Sequence, residues 1–273
     1  MKVPRSKLLV IDVGNTNTVL GLYEGKALEE HWRVATNPLT TTDELGVLYR
    51  ALFASHGISS EVVGAAIVSS VVPPIDHAVR RACRRYFGVE AQFVGPQTEL
   101  GIGVQYDNPH EIGADRLVNA GAAFQRYQSA CIIIDFGTAT TFDVVDQRGD
   151  YLGGVIAPGL GVSLDALIAR AAKLPKVEIR KPESIMGRNT VSAIQAGTVY
   201  GYIGLVDGIV RRIIEAHPGE TFRVLATGGL AGLIGGDSAY IETVEPFLTL
   251  EGLRLIHERS APKAASPGAM GAP

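Results

Sequence analysis

The chain has 273 residues, of which 46% are hydrophobic and 19% charged, and its formal net charge is −3. This composition is typical of a globular protein with a sizeable core, in one large domain or two of ordinary size. The small negative charge provides no general attraction for nucleic acid or for an anionic membrane. The two cysteines lack metal-ligand spacing, which favours a reduced, cytoplasmic protein.

Three further features of the composition bear on partners. No stretch approaches the ~18 consecutive apolar residues of a membrane-spanning helix, so we expect no membrane segment. The arginines within 80–85 lack interleaved aromatic residues and are typical of a solvated helix face, not of a nucleic-acid site. Residues 260–273 are rich in Ala, Pro and Gly, which predicts a disordered tail.

Strands and helices alternate along the first part of the chain. Four apolar residues, 8–11, predict a strand that runs into Asp12. Residues 42–57 predict a helix, with Thr42 or Asp43 as its N-cap and Gly57 as its end. The next predicted elements are a buried strand and turn over 62–74, an amphipathic helix over 75–88 and a helix over 113–127.

The second part repeats the alternation. An apolar strand precedes Asp135, a long glycine-containing helix is predicted over 190–216, and residues 222–234 predict a strand, a turn and a helix. Interleaved strands and helices are typical of an α/β architecture.

One motif occurs twice. "LLVIDVGNTNT" recurs as "CIIIDFGTATT", so that Asp12 matches Asp135 and Gly14 matches Gly137 at one constant offset. Each copy precedes a second run that is compatible with a strand, which makes it a hairpin. Two copies of a hairpin indicate two related domains, because a solenoid needs three or more repeats. We therefore predict domains over residues 1–118 and 119–259, followed by the tail over 260–273.

The residues of the first hairpin suit a metal-bound polyphosphate. Gly14 lets the backbone approach an anion, and the Thr16 and Thr18 hydroxyls provide donors. Asp12 can hold the accompanying Mg²⁺, which prefers carboxylate and water oxygens. Neither a P-loop nor a dinucleotide-binding glycine motif is present. The alternative is an ordinary hairpin with an Asx-turn at Asn15.

The paired hairpins, followed by "ATGG" at 226–229, resemble the actin-like ATPase superfamily. The resemblance implies two RNase H-like domains, each a mixed sheet flanked by helices, that hold ATP between them. It places Gly228 and Gly229 near the nucleoside, where they open a helix without side-chain bulk.

Six stretches narrow the resemblance. "DVGNTNT", "SSVVPP", "YDNPHEIGADR", "DFGTATTFD", "GGVIAPG" and "GRNT" occur in this order, and together they resemble type III pantothenate kinase. The resemblance implies ATP-dependent phosphorylation of pantothenate to 4′-phosphopantothenate, the first step of coenzyme A biosynthesis. Two alternatives stay open. One is another small-molecule kinase of the superfamily, and the other is a regulator that retains the fold, because the family includes sequences labelled Bvg accessory factor.

The resemblance also implies roles for individual residues. Asp115 matches the proton acceptor, and Asp135 matches the ligand of a monovalent cation, K⁺ or NH₄⁺. A homodimer is implied, in which Thr190 reaches the substrate of the neighbouring subunit. The ATP-binding positions are Asp12, Val13, Gly14, Asn15, Thr16, Asn17, Thr18, Val19 and Thr138, and the pantothenate-binding positions are Tyr106, Gly113, Ala114, Asp115, Arg116 and Thr190.

Each of these residues has a structural alternative when the local sequence is taken alone. Asp115 could cap the helix that follows it. Arg116 could pair with a carboxylate of the protein, and Tyr106 could be a half-buried loop aromatic. Thr190 could be a helix cap, and Asp135 a hydrogen-bonded structural carboxylate.

Overall fold

Two mixed sheets flanked by helices form the part of the chain that this computed structural model describes, residues 5–260. The predicted α/β class is confirmed. The first sheet contains β1 (Lys7–Val13), β2 (Asn17–Glu24), β3 (Ala27–Ala35), β4 (Val63–Ser70) and β5 (Ala91–Phe93), in the spatial order β3-β2-β1-β4-β5. The second contains β6 (Gly103–Val104), β7 (Cys131–Phe136), β8 (Ala139–Val145), β9 (Asp150–Pro158), β10 (Arg223–Gly228) and β11 (Thr243–Val244), in the order β11-β10-β7-β8-β9-β6.

Seven α-helices accompany the strands of residues 5–260. They are α1 (Thr42–Ser55), α2 (Pro73–Ala82, continued by a π-helical turn over Cys83–Phe87), α3 (Ala114–Tyr127), α4 (Leu160–Arg170), α5 (Thr190–Ala216), α6 (Ala231–Gly235) and α7 (Leu248–Ser260). The helices predicted over 42–57, 113–127 and 190–216 are thereby confirmed.

Two predicted boundaries are wrong. Helix α1 is capped by Thr41 and not by Thr42 or Asp43, because Thr41 and Glu44 form a reciprocal capping box. The Thr41 N–H donates to Glu44 Oε2 at 2.8 Å, and the Glu44 N–H donates back to Thr41 Oγ1 at 3.4 Å. The predicted tail begins one residue too early, because Ser260 is the last residue of α7. Residues 261–273 of that tail lie outside the described part of the chain.

The two sheets repeat one topology, as the duplicated motif predicts. In the first, β1 and β2 form an antiparallel hairpin and β4 lies parallel to β1. In the second, β7 and β8 form the hairpin and β10 lies parallel to β7. Strands β1 and β7 are buried on both faces, which explains their unbroken apolar runs. Asp12 and Asp135 occupy equivalent positions, next to the carboxyl end of each central strand.

Helices α3 and α7 join the two halves. They pack against each other, while α7 also contacts β1, β2 and β4, and α3 contacts β4, β7 and β8. Val10, Val118, Ile133 and Leu253 belong to the single apolar cluster that results. The proposed domain boundary after residue 118 falls inside α3, so this helix serves both sheets.

Helix α5 is long and apolar enough to cross a membrane by length and composition alone, with a mean hydropathy of 1.2. It is the one such helix among residues 5–260, and the expectation that no segment approaches this limit is wrong on that test. Buried residues account for 39% of its most apolar window. Val199, Val206 and Val210 of this helix pack in the core of the second sheet, which explains its apolar character.

Candidate active site

Three carboxylates from three different elements converge on one cleft. Asp12 is the last residue but one of β1, Asp135 is the last but one of β7, and Asp115 lies in the first turn of α3. Burial, together with the negative charges of Asp115 and Asp135, raises the pKa of Asp12 to about 8. Burial likewise raises the pKa of Asp135 to about 7, with Asp115 as the next contributor. All three residues keep partial exposure to solvent, so a ligand can reach them.

The tips of the two hairpins touch each other across this cleft. Thr16 Oγ1 and Thr138 Oγ1 share a hydrogen bond of 2.7 Å. The first turn closes through the backbone, with the Gly14 N–H donating to the Asn17 carbonyl at 3.0 Å, and no Asn15 side-chain hydrogen bond occurs within residues 5–260. The hairpins therefore present facing hydroxyls, and the alternative of an Asx-turn at Asn15 is wrong.

The turn after β10 completes the floor of the cleft beside Asp135. Thr227 is the register partner of Asp135 on the adjacent parallel strand. Gly228 has a φ of +91°, and a Cβ added to it would lie 2.5 Å from Asp135 Oδ1. Glycine is required here by both the left-handed backbone and the close carboxylate.

Asp115 is not the cap of α3. The N-cap is Gly113, and Asp115 is the second helical residue. Its Oδ1 accepts a hydrogen bond of 2.8 Å from the Arg116 N–H. Burial raises the pKa of Asp115, and that backbone hydrogen bond opposes the rise. The capping alternative is therefore wrong, and the carboxylate lies at the cleft with its basicity increased.

Arg116 pairs with a carboxylate that the sequence analysis missed. Its Nε and Nη2 both lie 2.8 Å from Oδ1 of Asp143, which is fully buried. The Tyr151 hydroxyl donates to the same oxygen at 2.8 Å, and Thr141 Oγ1 donates to Asp143 Oδ2 at 3.0 Å. The alternative of an internal ion pair for Arg116 is confirmed. The signal available in the sequence was a second acidic residue within "DFGTATTFD".

Tyr106 lies beside this ion pair. Its ring centroid is 6.1 Å from that of Tyr151, and its ring would be 3.4 Å from a Cβ added to Gly153. The side chain is 38% exposed, which agrees with the half-buried aromatic expected from the local sequence. Tyr106, Tyr151 and Arg116 thus form one wall.

Two polar residues orient Asp135 from behind, and neither was predicted. Asn119 of α3 donates from Nδ2 to Asp135 Oδ2 at 3.1 Å. Thr249 of α7 in turn donates to Asn119 Oδ1 at 2.8 Å. The chain of hydrogen bonds fixes the amide of Asn119, so Asp135 is a hydrogen-bonded carboxylate that also faces the cleft.

Thr190 is the predicted site residue that the single chain does not bring to the others. It is the first, exposed residue of α5, and the cap is Asn189, whose Oδ1 accepts from the Ser192 N–H at 2.9 Å. Within residues 5–260, no hydrogen bond or ion pair joins Thr190 to the three cleft carboxylates. The capping alternative for Thr190 is wrong, and its role at a neighbouring subunit stays a prediction.

The carboxylate oxygens of the cleft suit a cation that is bound together with phosphate groups. No group of three or more His, Cys, Asp or Glu side chains in the described ranges has the arrangement of a metal site. Mg²⁺ is commonly bound through one or two carboxylates, waters and substrate phosphates, without an all-protein cage. Asp12, two residues before the turn of the first hairpin, fits that pattern, because it is partly exposed and lies among like charges.

Comparisons with known proteins decide the family. The family model described as type III pantothenate kinase matches residues 8–212. The chain belongs to the type III pantothenate kinase family. A type III pantothenate kinase of Anaeromyxobacter dehalogenans (strain 2CP-C) is 54% identical over 253 residues, covering 93% of this chain and 99% of the relative. That of Koribacter versatilis is 52% identical over 263 residues, covering 93% and 96%.

Membership of the type III pantothenate kinase family confirms the sequence-based identification. The family is one of ATP-dependent kinases of coenzyme A biosynthesis, so the predicted enzyme class and the use of ATP are confirmed with it.

Solved structures support the fold. A protein from Sinorhizobium meliloti assigned as a 2-dehydro-3-deoxygalactonokinase has a TM-score of 0.58 at 13% identity, covering 95% of this chain and 99% of its own. A Campylobacter jejuni protein assigned to the Baf family of transcriptional activators has a TM-score of 0.57 at 15% identity, covering 92% and 98%. These likenesses confirm the predicted actin-like ATPase fold, and at such identities they show the fold alone.

The raised pKa of Asp12 predicts a pH-dependent gain of stability when its charge is removed. Its folded-state pKa of about 8 lies above the ordinary aspartate value, so the folded state loses stability as pH rises toward 8. In protein stripped of metal and nucleotide, we expect Asp12→Asn to gain at least about 1 kcal/mol of unfolding free energy over wild type between pH 5 and 8. The limit of about 1.36 kcal/mol per pH unit is not reached, because Asp12 keeps solvent contact.

The measurement is urea denaturation of both proteins at several pH values. Glu61→Gln, which removes an exposed carboxylate distant in sequence from Asp12, is the matched control. Its unfolding free energy should stay within about 0.5 kcal/mol of the wild-type value at every pH. A difference between Asp12→Asn and wild type that is constant with pH would contradict the assigned electrostatics.

Proposed function

We propose that this chain transfers the γ-phosphoryl group of ATP to the 4′-hydroxyl of pantothenate, with Asp115 as the proton acceptor. The observation that carries the proposal is the convergence of Asp12, Asp115 and Asp135 on one cleft, beneath the facing Thr16 and Thr138 hydroxyls. Phosphoryl transfer needs positioning, charge neutralisation and a group that takes the proton of the acceptor. The cleft contains residues for each of these tasks.

The nucleotide side is built from the two hairpins. The proposed ATP contacts are the segment from Asp12 to Val19 and the residue Thr138, whose hydroxyl already lies at hydrogen-bond distance from Thr16. Mg²⁺, when bound, neutralises charge on the phosphates. Asp12 would hold it, and Gly14 keeps the backbone close to the anion.

The acceptor side is built from the start of α3 and the wall beside it. Asp115 accepts the proton of the 4′-hydroxyl as the new oxygen–phosphorus bond forms and the bond to ADP breaks. Its raised pKa makes it a better base than an ordinary aspartate. The proposed pantothenate contacts are Tyr106, Gly113, Ala114, Asp115 and Arg116, with Thr190 from the neighbouring subunit.

A monovalent cation, K⁺ or NH₄⁺, is proposed at Asp135. Asp135 Oδ1 faces Gly228, whose missing side chain leaves that oxygen uncovered, and Asn119 bonds the other oxygen. Burial, followed by the negative charges of Asp115 and Asp143, raises the pKa of Asp135 to about 7, and a bound cation would stabilise the ionised carboxylate.

The exposed apolar surface supports a homodimer. Ile156, Ile185 and Met186 are 63%, 64% and 79% exposed. Ile185 and Met186 lie five and four residues before Thr190, the first residue of α5. Exposed apolar patches of this kind mark interaction sites, and a second copy of the chain covering this one would carry Thr190 to the partner's cleft.

We propose neither nucleic acid nor a membrane as a partner, and we propose that the enzyme acts in the cytoplasm. Two of the arginines on and after α2 form ion pairs within the chain, and Arg80 lies over the ring of Phe93. Arg85 lies 2.8 Å from Asp43, and Arg84 lies 3.1 Å from Glu90. The basic cluster therefore supports the solvated face expected from the sequence.

A regulator that retained the fold and a kinase for another small molecule are the alternatives. The regulator would not need three carboxylates at the cleft, because an uncompensated cluster costs stability. The other kinase would need a different acceptor wall from that of Tyr106, Arg116 and Asp143. Both alternatives predict no turnover of pantothenate.

An ADP-release assay with pantothenate, Mg²⁺ and K⁺ tests the proposal. We expect turnover above a control without pantothenate, and a loss of at least ~10²-fold in kcat for Asp115→Asn with ATP binding retained. Glu61→Gln should match wild type. Turnover unchanged in Asp115→Asn would remove Asp115 from the reaction, and no turnover by folded wild-type protein would refute the function.

The cation proposal has its own test. Replacing K⁺ by Na⁺ in the same assay should lower kcat/KM, because Na⁺ is smaller and a poorer match for a site sized for K⁺ or NH₄⁺. Asp135→Asn should lower activity and remove the difference between the two ions. Equal activity of wild type in both salts would rule out the assigned role of Asp135.

A further inference from the structure

Arg33 of β3 lies on the same face of the first sheet as Asp12. Asp12 pairs in register with Val19, and Val19 pairs in register with Arg33. Residues directly opposite on neighbouring strands point to one face. Two strand spacings, ~10 Å, separate the two backbones, and an arginine side chain is long enough to cover much of that span. Strand order thus brings Arg33 to the cleft.

The guanidinium of Arg33 crosses from the first half of the molecule to the second. Its Nη1 lies 3.1 Å from the position of a Cβ added to Gly229, in the turn that follows β10. Its positive charge lowers the pKa of both Asp12 and Asp135. Arg33 is therefore placed between the central carboxylates and the glycine turn, where the two sheets face each other.

Arg33 forms no ion pair with a carboxylate of the described residues. No carboxylate lies within 4.0 Å of its nitrogens among residues 5–260, and the residue is exposed. Arg116, by contrast, is buried against Asp143 at 2.8 Å. Of these two arginines at the cleft, Arg33 is the one whose planar fork of N–H donors is available to an anion, and such a fork matches phosphate oxygens.

We infer that Arg33 binds the polyphosphate chain of the nucleotide from the side of the cleft opposite the acceptor wall. This inference rests on the proposed function and adds a residue to it. The guanidinium would donate to phosphate oxygens held between the hairpin of Asp12 and the turn at Gly229. It supplies positive charge where Asp12 and Asp135 supply only negative charge.

Binding of AMPPNP with Mg²⁺ by calorimetry tests the inference without any turnover. Arg33→Gln should weaken AMPPNP at least about tenfold, the effect of losing a charge-assisted hydrogen bond. The dissociation constant of adenosine, which has no phosphate, should change less than about twofold. Arg33→Lys should restore part of the affinity, because the charge returns without the fork. The control is Arg50→Gln, which removes an exposed arginine of α1.

Kinetics provides the second readout. In the ADP-release assay, Arg33→Gln should raise KM for ATP and leave KM for pantothenate within about threefold. Unchanged AMPPNP affinity would overturn the inference, and so would equal losses for AMPPNP and adenosine, which would indicate a merely structural role. Failure of the proposed function is distinguishable, because wild-type protein would then bind AMPPNP without turning over pantothenate.

Discussion

The burial of like charges close together is the constraint on which this active site depends. Asp12, Asp115 and Asp135 are drawn together by the ends of β1 and β7 and the start of α3. Burial, followed by the charge of Asp115, raises the pKa of both Asp12 and Asp135, and the folded state loses free energy when they ionise. A cleft of this kind is stable in its charged form only with cations beside it. The carboxylates therefore impose a requirement that Mg²⁺, a monovalent cation and Arg33 together would meet.

Duplication explains how the carboxylates come to face each other. Each half of the chain uses a hairpin whose central strand ends in aspartate, with a parallel strand on the other side. Helices α3 and α7 pack together between the two sheets and so hold the halves face to face. The same packing brings Asn119 and Thr249 behind Asp135. The packing of these two helices therefore also sets the geometry of the site, and a change in their interface would displace the carboxylate of Asp135.

The sequence predicted what is local or repeated. The paired motif located Asp12 and Asp135, and the stretch "YDNPHEIGADR" located Asp115 and Arg116. What it could not provide is strand order. Arg33 stands in an ordinary strand, and only the register β3-β2-β1 aligns it with Asp12. The carboxylate that pairs with Arg116 could not be identified from the sequence for the same reason. Asp143 is distant in sequence and contacts Arg116 only because α3 packs on β8.

The two errors on the N-cap of α1 and on the apolar content of α5 also have local causes. Three consecutive threonines offered several caps for α1, and the choice of Thr41 depends on the reciprocal bond with Glu44. The apolar content of α5 is divided between a core face and an exposed one, which a count of consecutive apolar residues does not register.

We propose that one triphosphate lies between the two hairpins, and a crystal structure with Mg²⁺ and AMPPNP would test this placement. The Thr16 and Thr138 hydroxyls now share a hydrogen bond of 2.7 Å. We expect phosphate oxygens to lie between these hydroxyls and the direct bond between them to be lost. A nucleotide bound elsewhere, with the Thr16–Thr138 bond intact, would contradict it.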